Sequence, residues 1–169
     1  MSSHEFDGRE IANFVLDYCE KRGISVSNLS LQKIIYFCHV WSLIELGRPL
    51  IKQKFEAWKH GPVLQYVYRE FQVFEAEPIS SRATKLNPRT GESLVANGEF
   101  DAEIRALLDR VVSFYGRLSS TQLVDLSHVE GGPWEKVWNH DGNANPGMKI
   151  EDEAIVDFYS RASRPFSVQ

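Results

Sequence analysis

The chain has 169 residues, 43% hydrophobic and 12% aromatic, enough to bury a core, so one domain over 1–169 is expected, with its main body over about 8–161. Its formal charge of −4 weighs against a nucleic-acid binder or a membrane-surface protein working by bulk electrostatics, and favours a basic protein partner. Two cysteines without paired spacing, Cys19 and Cys38, the hydrophilic start MSSHEFDGRE and the lack of an apolar run long enough to cross a bilayer lead us to expect a soluble cytoplasmic protein.

In chain order, Ile11, Phe14, Val15 and Tyr18 fall at helical spacing and predict an amphipathic helix from Gly8 to Lys21, ended by Gly23. The stretch SNLSLQKIIYFCHVWSLIELG follows, with Ser27, Asn28 or Ser30 as its cap and Gly47 then Pro49 as its stop. Its apolar residues nearly encircle the axis, which predicts a central helix packed on most sides. Gln53 to Lys59 alternates as a short strand does, and the turn chemistry of NPRTG places its expected partners in SRATKLNPRTGESLV.

Between strand and hairpin lies WKHGPVLQYVYREF. Pro62 suits a first helical position, with Leu64, Val67, Phe71 and Phe74 as an inward stripe. A helix is expected over Asp101 to Arg117. Ser119 with Gln122 then has the spacing of a capping box and predicts a helix over about 120–128. GGPWEKVW is a short helix opened by Pro133, and Glu151 to Arg161 is the last. The fold class expected is mostly α (α+β), a central buried helix with a small antiparallel sheet.

The sequence carries few patterns that chemistry would need. No two histidines stand at i, i+4, no C-x-x-C occurs, and there is no phosphate-binding or nucleophile-elbow motif. No catalytic residue, cofactor or metal is assigned. Cys38 and His39 are adjacent in sequence, which on a helix turns them about 100° apart, so Cys38 reads as a buried inert thiol. DGNANPGMKIED begins like a calcium loop with Asp141, Asn143 and Asn145, then departs at Pro146 and Asp152; it reads as a polar surface loop. Residues 101–140 carry four Arg/Lys and six Asp/Glu, a poor phosphate surface for a helix-turn-helix. His60 lacks a carboxylate at a spacing that would orient it, so a tight structural corner, with the ring hydrogen-bonding across it, is preferred over catalysis. Gln32, Tyr36 and His39 form one polar line on the central helix, either an internal seam or part of a binding face.

LSLQKIIYFCHVW, then FEAWKHGPVLQYVYREF, then LVDLSHVEGGPWEKVW and a late IVDFYSR, in that order over about Gly8 to Arg161, resemble the Panacea, or SocA-like, domain of bacterial and prophage toxin–antitoxin systems. The resemblance implies a mostly helical antitoxin that neutralises a toxin encoded beside it by direct contact, rather than an enzyme. On it, Gln32, Lys33 and Tyr36 of the helix, Gly61, Pro62 and Val63 of the corner, and His128, Pro133 and Trp134 read as scaffold. Exposed aromatics and arginines are the usual anchors of interfaces, so Tyr66 and Arg69, with Trp58 and His60 at the helix entrance, are the candidate partner-binding residues. Competing readings are an adaptor that delivers its partner to a protease, an enzyme using His60 or Cys38, and a regulator of its own operon; a homo-oligomer is compatible with each.

Overall fold

The computed structural model describes residues 5–139 and 146–165. Helix α1 (Gly8–Lys21) starts at a capping box: Asp7 accepts from the Arg9 amide while Glu10 accepts from the Asp7 amide at 3.0 Å. It ends where Gly23 takes φ +70°. Ser27 Oγ then accepts from the Ser30 amide to open α2 (Asn28–Trp41). Twelve of the 14 residues of α2 are buried, as an apolar pattern running nearly all round the axis requires. The helix continues into one π-helical turn, Ser42–Leu46, and stops at Gly47.

Packed around α2 are α1, α3 (Gln65–Phe71), α4 (Ala102–Tyr115), α5 (Ser120–Ser127) and α7 (Asp152–Tyr159), while α6 (Pro133–Asn139) lies against the first strand. Aromatic side chains fill the centre. Phe37 stacks flat on Tyr115 with centroids 4.3 Å apart, Trp41 Nε1 donates to the Tyr115 hydroxyl at 2.9 Å, and Tyr159 meets both Phe37 and Trp41 edge-on. Each such ring contributes about 1.5–3 kcal/mol by leaving water. The Ser119–Gln122 capping box forms as the spacing predicts, both of its hydrogen bonds being present.

The strands pair differently from the expectation. β1 (Glu56–Trp58) does not join the 81–95 hairpin; it turns back at Lys59 and His60 and pairs with β2 (Gly61–Val63), with Trp58 opposite Gly61 and Ala57 opposite Pro62. β3 (Thr84–Leu86) and β4 (Ser93–Val95) form a separate antiparallel ladder. A two-residue turn closes with far less loss of chain entropy than a partner some thirty residues away. Gly61, at φ +112°, supplies a conformation that other residues rarely adopt. Pro62 is therefore a strand residue and not the first residue of a helix, and α3 starts three positions later, at Gln65.

Two polar anchors tie the outer pieces to the helices. His39 is buried; its Nδ1 accepts from the Ile51 amide at 3.1 Å, which leaves the proton on Nε2 to be donated to Asp152 Oδ1 at 2.8 Å. Asp152, the expected terminal position of the calcium-like loop, is thus engaged in holding α7 on α2. Asp141, Asn143 and Asn145 lie outside the described residues. Buried Asn13 on α1 donates to the carbonyls of Ala83 and Ala96 and accepts from the Ala83 amide, so one side chain fixes both strands of the β3–β4 ladder at its open end.

An isolated two-stranded ladder is marginal in water, so this anchor has a measurable consequence. Asn13→Ala leaves the Ala83 amide and the Ala96 carbonyl buried and unpaired, and is expected to lower the unfolding free energy by about 2–4 kcal/mol. Limited proteolysis should then cut the Asn87–Gly91 turn faster; an unchanged urea midpoint and cleavage rate would contradict the anchoring role.

Candidate functional site

In an antiparallel ladder, alternate residues turn their N–H and C=O away from the partner strand. On β2 these groups face α2, and side chains of α2 meet them. Lys33 Nζ donates to the Pro62 carbonyl at 2.9 Å, and Gln32 Oε1 accepts from the Leu64 amide, also at 2.9 Å. Gln32 Nε2 donates to Asn28 Oδ1, and Asn28 Nδ2 donates to the Tyr68 carbonyl. Two helix side chains therefore do for β2 what a neighbouring strand would do. Pro62 lacks an N–H, and its position in the ladder asks for none from it.

This arrangement requires Gly61. A Cβ there would lie 2.6 Å from Ser127 Oγ and 2.7 Å from Lys33 Cε, inside van der Waals contact with both. Lys33 is fully buried. Burial pushes its pKa down to about 7, because a compact ammonium loses its hydration there and gains a carbonyl with no opposing carboxylate.

From the other side, Trp134 Nε1 donates to the Trp58 carbonyl at 2.7 Å. His128 stacks on Trp134 with centroids 3.7 Å apart and planes 5° from parallel, and Trp138 continues the stack. The His128 pKa is lowered by burial first and then by the charge of Lys33, with Asp125 opposing. The helix α2, the β1–β2 turn and the α5–α6 corner thus meet at one place. Gln32, Lys33, Gly61, Pro62, Val63, His128, Pro133 and Trp134 all belong to this packing, and Tyr36 is buried beside it, edge-on to Phe37 and Phe55. The Gln32, Tyr36, His39 line is an internal seam.

The four residues singled out as exposed contacts separate into two places. Tyr66 is 58% exposed. It lies under the Arg9 guanidinium at 4.9 Å and borders a surface groove of about 420 Å³ with Lys54, Leu64 and Lys149. Arg69 is exposed on the same face. Trp58 and His60 open instead onto a second cavity, of about 310 Å³, together with Tyr68. The sequence reading missed Tyr68. The signal was there, because residues two apart on a helix point about 200° apart, so Tyr66 and Tyr68 cannot share a face. Among the described residues His60 hydrogen-bonds nothing across the corner; it stands exposed in the turn.

Neither thiol is placed for chemistry. Cys19 and Cys38 are both buried, burial raises the Cys19 pKa to about 11, and it raises that of Cys38 further, so neither supplies a thiolate near neutral pH. Among the described residues no helix is long and apolar enough to cross a membrane, and no group of three or more His, Cys, Asp or Glu is placed to hold a metal ion.

Comparison with known proteins gives two matches. The family model described as "Antitoxin SocA-like, Panacea domain" matches residues 31–135, a span that runs from the first turn of α2 to α6 and includes Gln32, Lys33, the β1–β2 turn, His128 and Trp134. The protein named Antitoxin SocA from Caulobacter vibrioides (strain NA1000 / CB15N) is 41% identical over 152 residues, which covers 89% of this chain and 81% of that protein. No solved structure matches the chain significantly.

Two substitutions test the meeting point. Gly61→Val combines an unfavourable φ with a clash on two sides and is expected to lower the unfolding free energy by about 3 kcal/mol or more; a neutral result would contradict the tight contact. For Lys33 the sign follows from linkage. Its folded pKa of about 7 lies below that of the unfolded chain, so the unfolded state binds more protons between the two values and stability rises with pH there. Lys33→Met removes this dependence. The stability difference between wild type and variant should change by about 3 kcal/mol, in favour of wild type, from pH 7 to 9.5. A difference that stays constant would show that Lys33 keeps its proton in the fold.

Proposed function

Because the chain belongs to the SocA-like Panacea antitoxin family, we propose that it is a cytoplasmic antitoxin that neutralises a toxin encoded beside it by direct protein–protein contact. The observation that carries this reading is the 41% identity to a protein named Antitoxin SocA over 89% of the chain. The mechanism is capture: a folded domain covers the toxin's active surface and lowers its free concentration. The placement of the signature residues supports it. They are spent on holding α2, the β1–β2 turn and the α5–α6 corner together, which leaves recognition to exposed side chains around them.

The face carrying Tyr66 and Arg69 is the proposed contact surface, with Trp58 and His60 as a second patch. Tyr66 stands half out of the surface yet is steadied by Arg9, which is itself held by Asp7 through two hydrogen bonds. A rigid, partly desolvated aromatic loses little side-chain entropy on binding, and such residues dominate interface energetics. The net charge of −4 suits a basic toxin.

Growth of cells expressing the adjacent gene from an inducible promoter should arrest, and co-expression of this chain should relieve the arrest. A harmless neighbour, or arrest that persists beside soluble antitoxin, would contradict the reading. Tyr66→Ala with Arg69→Ala should weaken toxin affinity by roughly thirtyfold, about 2 kcal/mol, with the thermal midpoint unchanged. Unchanged affinity in a folded double variant would move the contact to another face.

A further inference from the structure

The second cavity has a chemistry of its own. Trp58 and Tyr68 wall it as a corner, their centroids 5.0 Å apart and their planes at 65°. Leu29 and Val63 add apolar surface, and Glu75 and Lys59 also line it. The indole N–H of Trp58 is already donated to Glu56 Oε1 at 2.8 Å. What Trp58 offers a guest is therefore its π face, made more electron-rich by a carboxylate on its only donor. A cation is the group that a π face attracts.

The charges around the corner favour a cation as well. From Glu70 to Ser81 the chain carries three glutamates and no lysine or arginine. Glu75 forms no ion pair among the described residues, although it lines the cavity. Its backbone is held at φ +52°, ψ −122°, with its amide on the Gln72 carbonyl at 3.0 Å, a conformation that non-glycine residues rarely adopt. Among the described residues Lys59 is the one lysine or arginine that lines this cavity. It is exposed in the β1–β2 turn, where its flexible stem keeps the ammonium in water.

We propose that this corner seats an arginine side chain of the partner protein, the guanidinium lying flat on Trp58 and against Tyr68 at its edge, with its fork toward the Glu75 carboxylate. The proposal rests on the reading of the chain as a protein-binding antitoxin and names one anchor of that contact. A guanidinium fits better than an ammonium, because it is planar, weakly hydrated and able to meet a carboxylate through two parallel hydrogen bonds. The volume of about 310 Å³ admits the whole side chain together with part of the backbone that carries it.

The test uses the full chain and N-acetyl-arginine amide as the probe, read by the Trp58 indole N–H resonance, with that resonance assigned by its loss in Trp58→Phe. The arginine probe is expected to shift this resonance with millimolar affinity, about tenfold more tightly than the citrulline amide, which keeps the shape and lacks the charge. Glu75→Gln, at an exposed position, should weaken the arginine probe about tenfold, and Lys59→Gln should strengthen it severalfold. Equal binding of arginine and citrulline, binding of only the N-acetyl-phenylalanine amide, or no response of Trp58 would overturn the proposal. So would tighter arginine binding with Lys59 present than without it. Loss of this binding alongside intact toxin neutralisation removes the arginine site alone; arginine binding alongside a harmless neighbouring gene removes the antitoxin reading and leaves the site.

Discussion

Two hydrogen bonds from the central helix to the outer edge of a three-residue strand organise this domain. Lys33 takes the Pro62 carbonyl and Gln32 takes the Leu64 amide, so β2 is finished as a sheet edge by side chains and needs no third strand on that side. An unpaired edge invites pairing with another chain; here it is buried against a helix. Gly61 follows as a necessity, since any side chain at that position would occupy the space of Lys33 and Ser127. Trp134, bound to the Trp58 carbonyl, and His128, stacked on Trp134, close the arrangement from the α5–α6 side.

This arrangement has an energetic asymmetry. Burying a lysine without a carboxylate partner opposes folding, and its lowered pKa measures that opposition. Its long stem, however, fills the volume that Gly61 leaves open, and its amine satisfies a carbonyl that would otherwise be buried unpaired. The same logic applies to His39, which takes a backbone amide on one nitrogen and gives the other to Asp152. Polar groups of α2 thus hold the β1–β2 segment, the backbone at Ile51 and the start of α7, while its apolar groups pack against the surrounding helices. The segments so attached, the β1–β2 turn and α3, present Trp58, Tyr66, Tyr68 and Arg69 at or near the surface from a rigid base.

Much of this was legible in the sequence where a local rule decides the outcome. The start of α2 within Ser27–Ser30, the burial of α2 on nearly every side, the Ser119–Gln122 box and the inward Val67 and Phe71 of α3 all follow from spacing along one element. The pairing of β1 was not legible in the same way. A Gly-Pro dipeptide can open a helix or lie in a strand, and the choice here is made by the Trp58–Gly61 closure and by two side chains about thirty residues earlier. The roles of Lys33 and Asn13 were equally hidden, because each depends on which carbonyls a distant segment leaves open. The split of the contact candidates into a Tyr66 face and a Trp58 cavity follows from the helical spacing, which turns Tyr66 and Tyr68 to different sides, together with the β1–β2 pairing that brings Trp58 beside Tyr68. The resemblance to the Panacea domain named Gln32, Lys33, Gly61 and Trp134 together, and the hydrogen bonds and close approaches that join them across the fold are what spacing along one element does not show.

The central claim is that the signature residues build the scaffold while recognition lies on the exposed segments they support. Hydrogen–deuterium exchange of the chain with and without its bound toxin tests this most directly. The account predicts new protection over the β1–β2 turn and α3 through Ala76, with exchange in the buried half of α2 unchanged. Protection confined to α4 or to the β3–β4 hairpin, or a toxin that binds only when α2 opens, would contradict it.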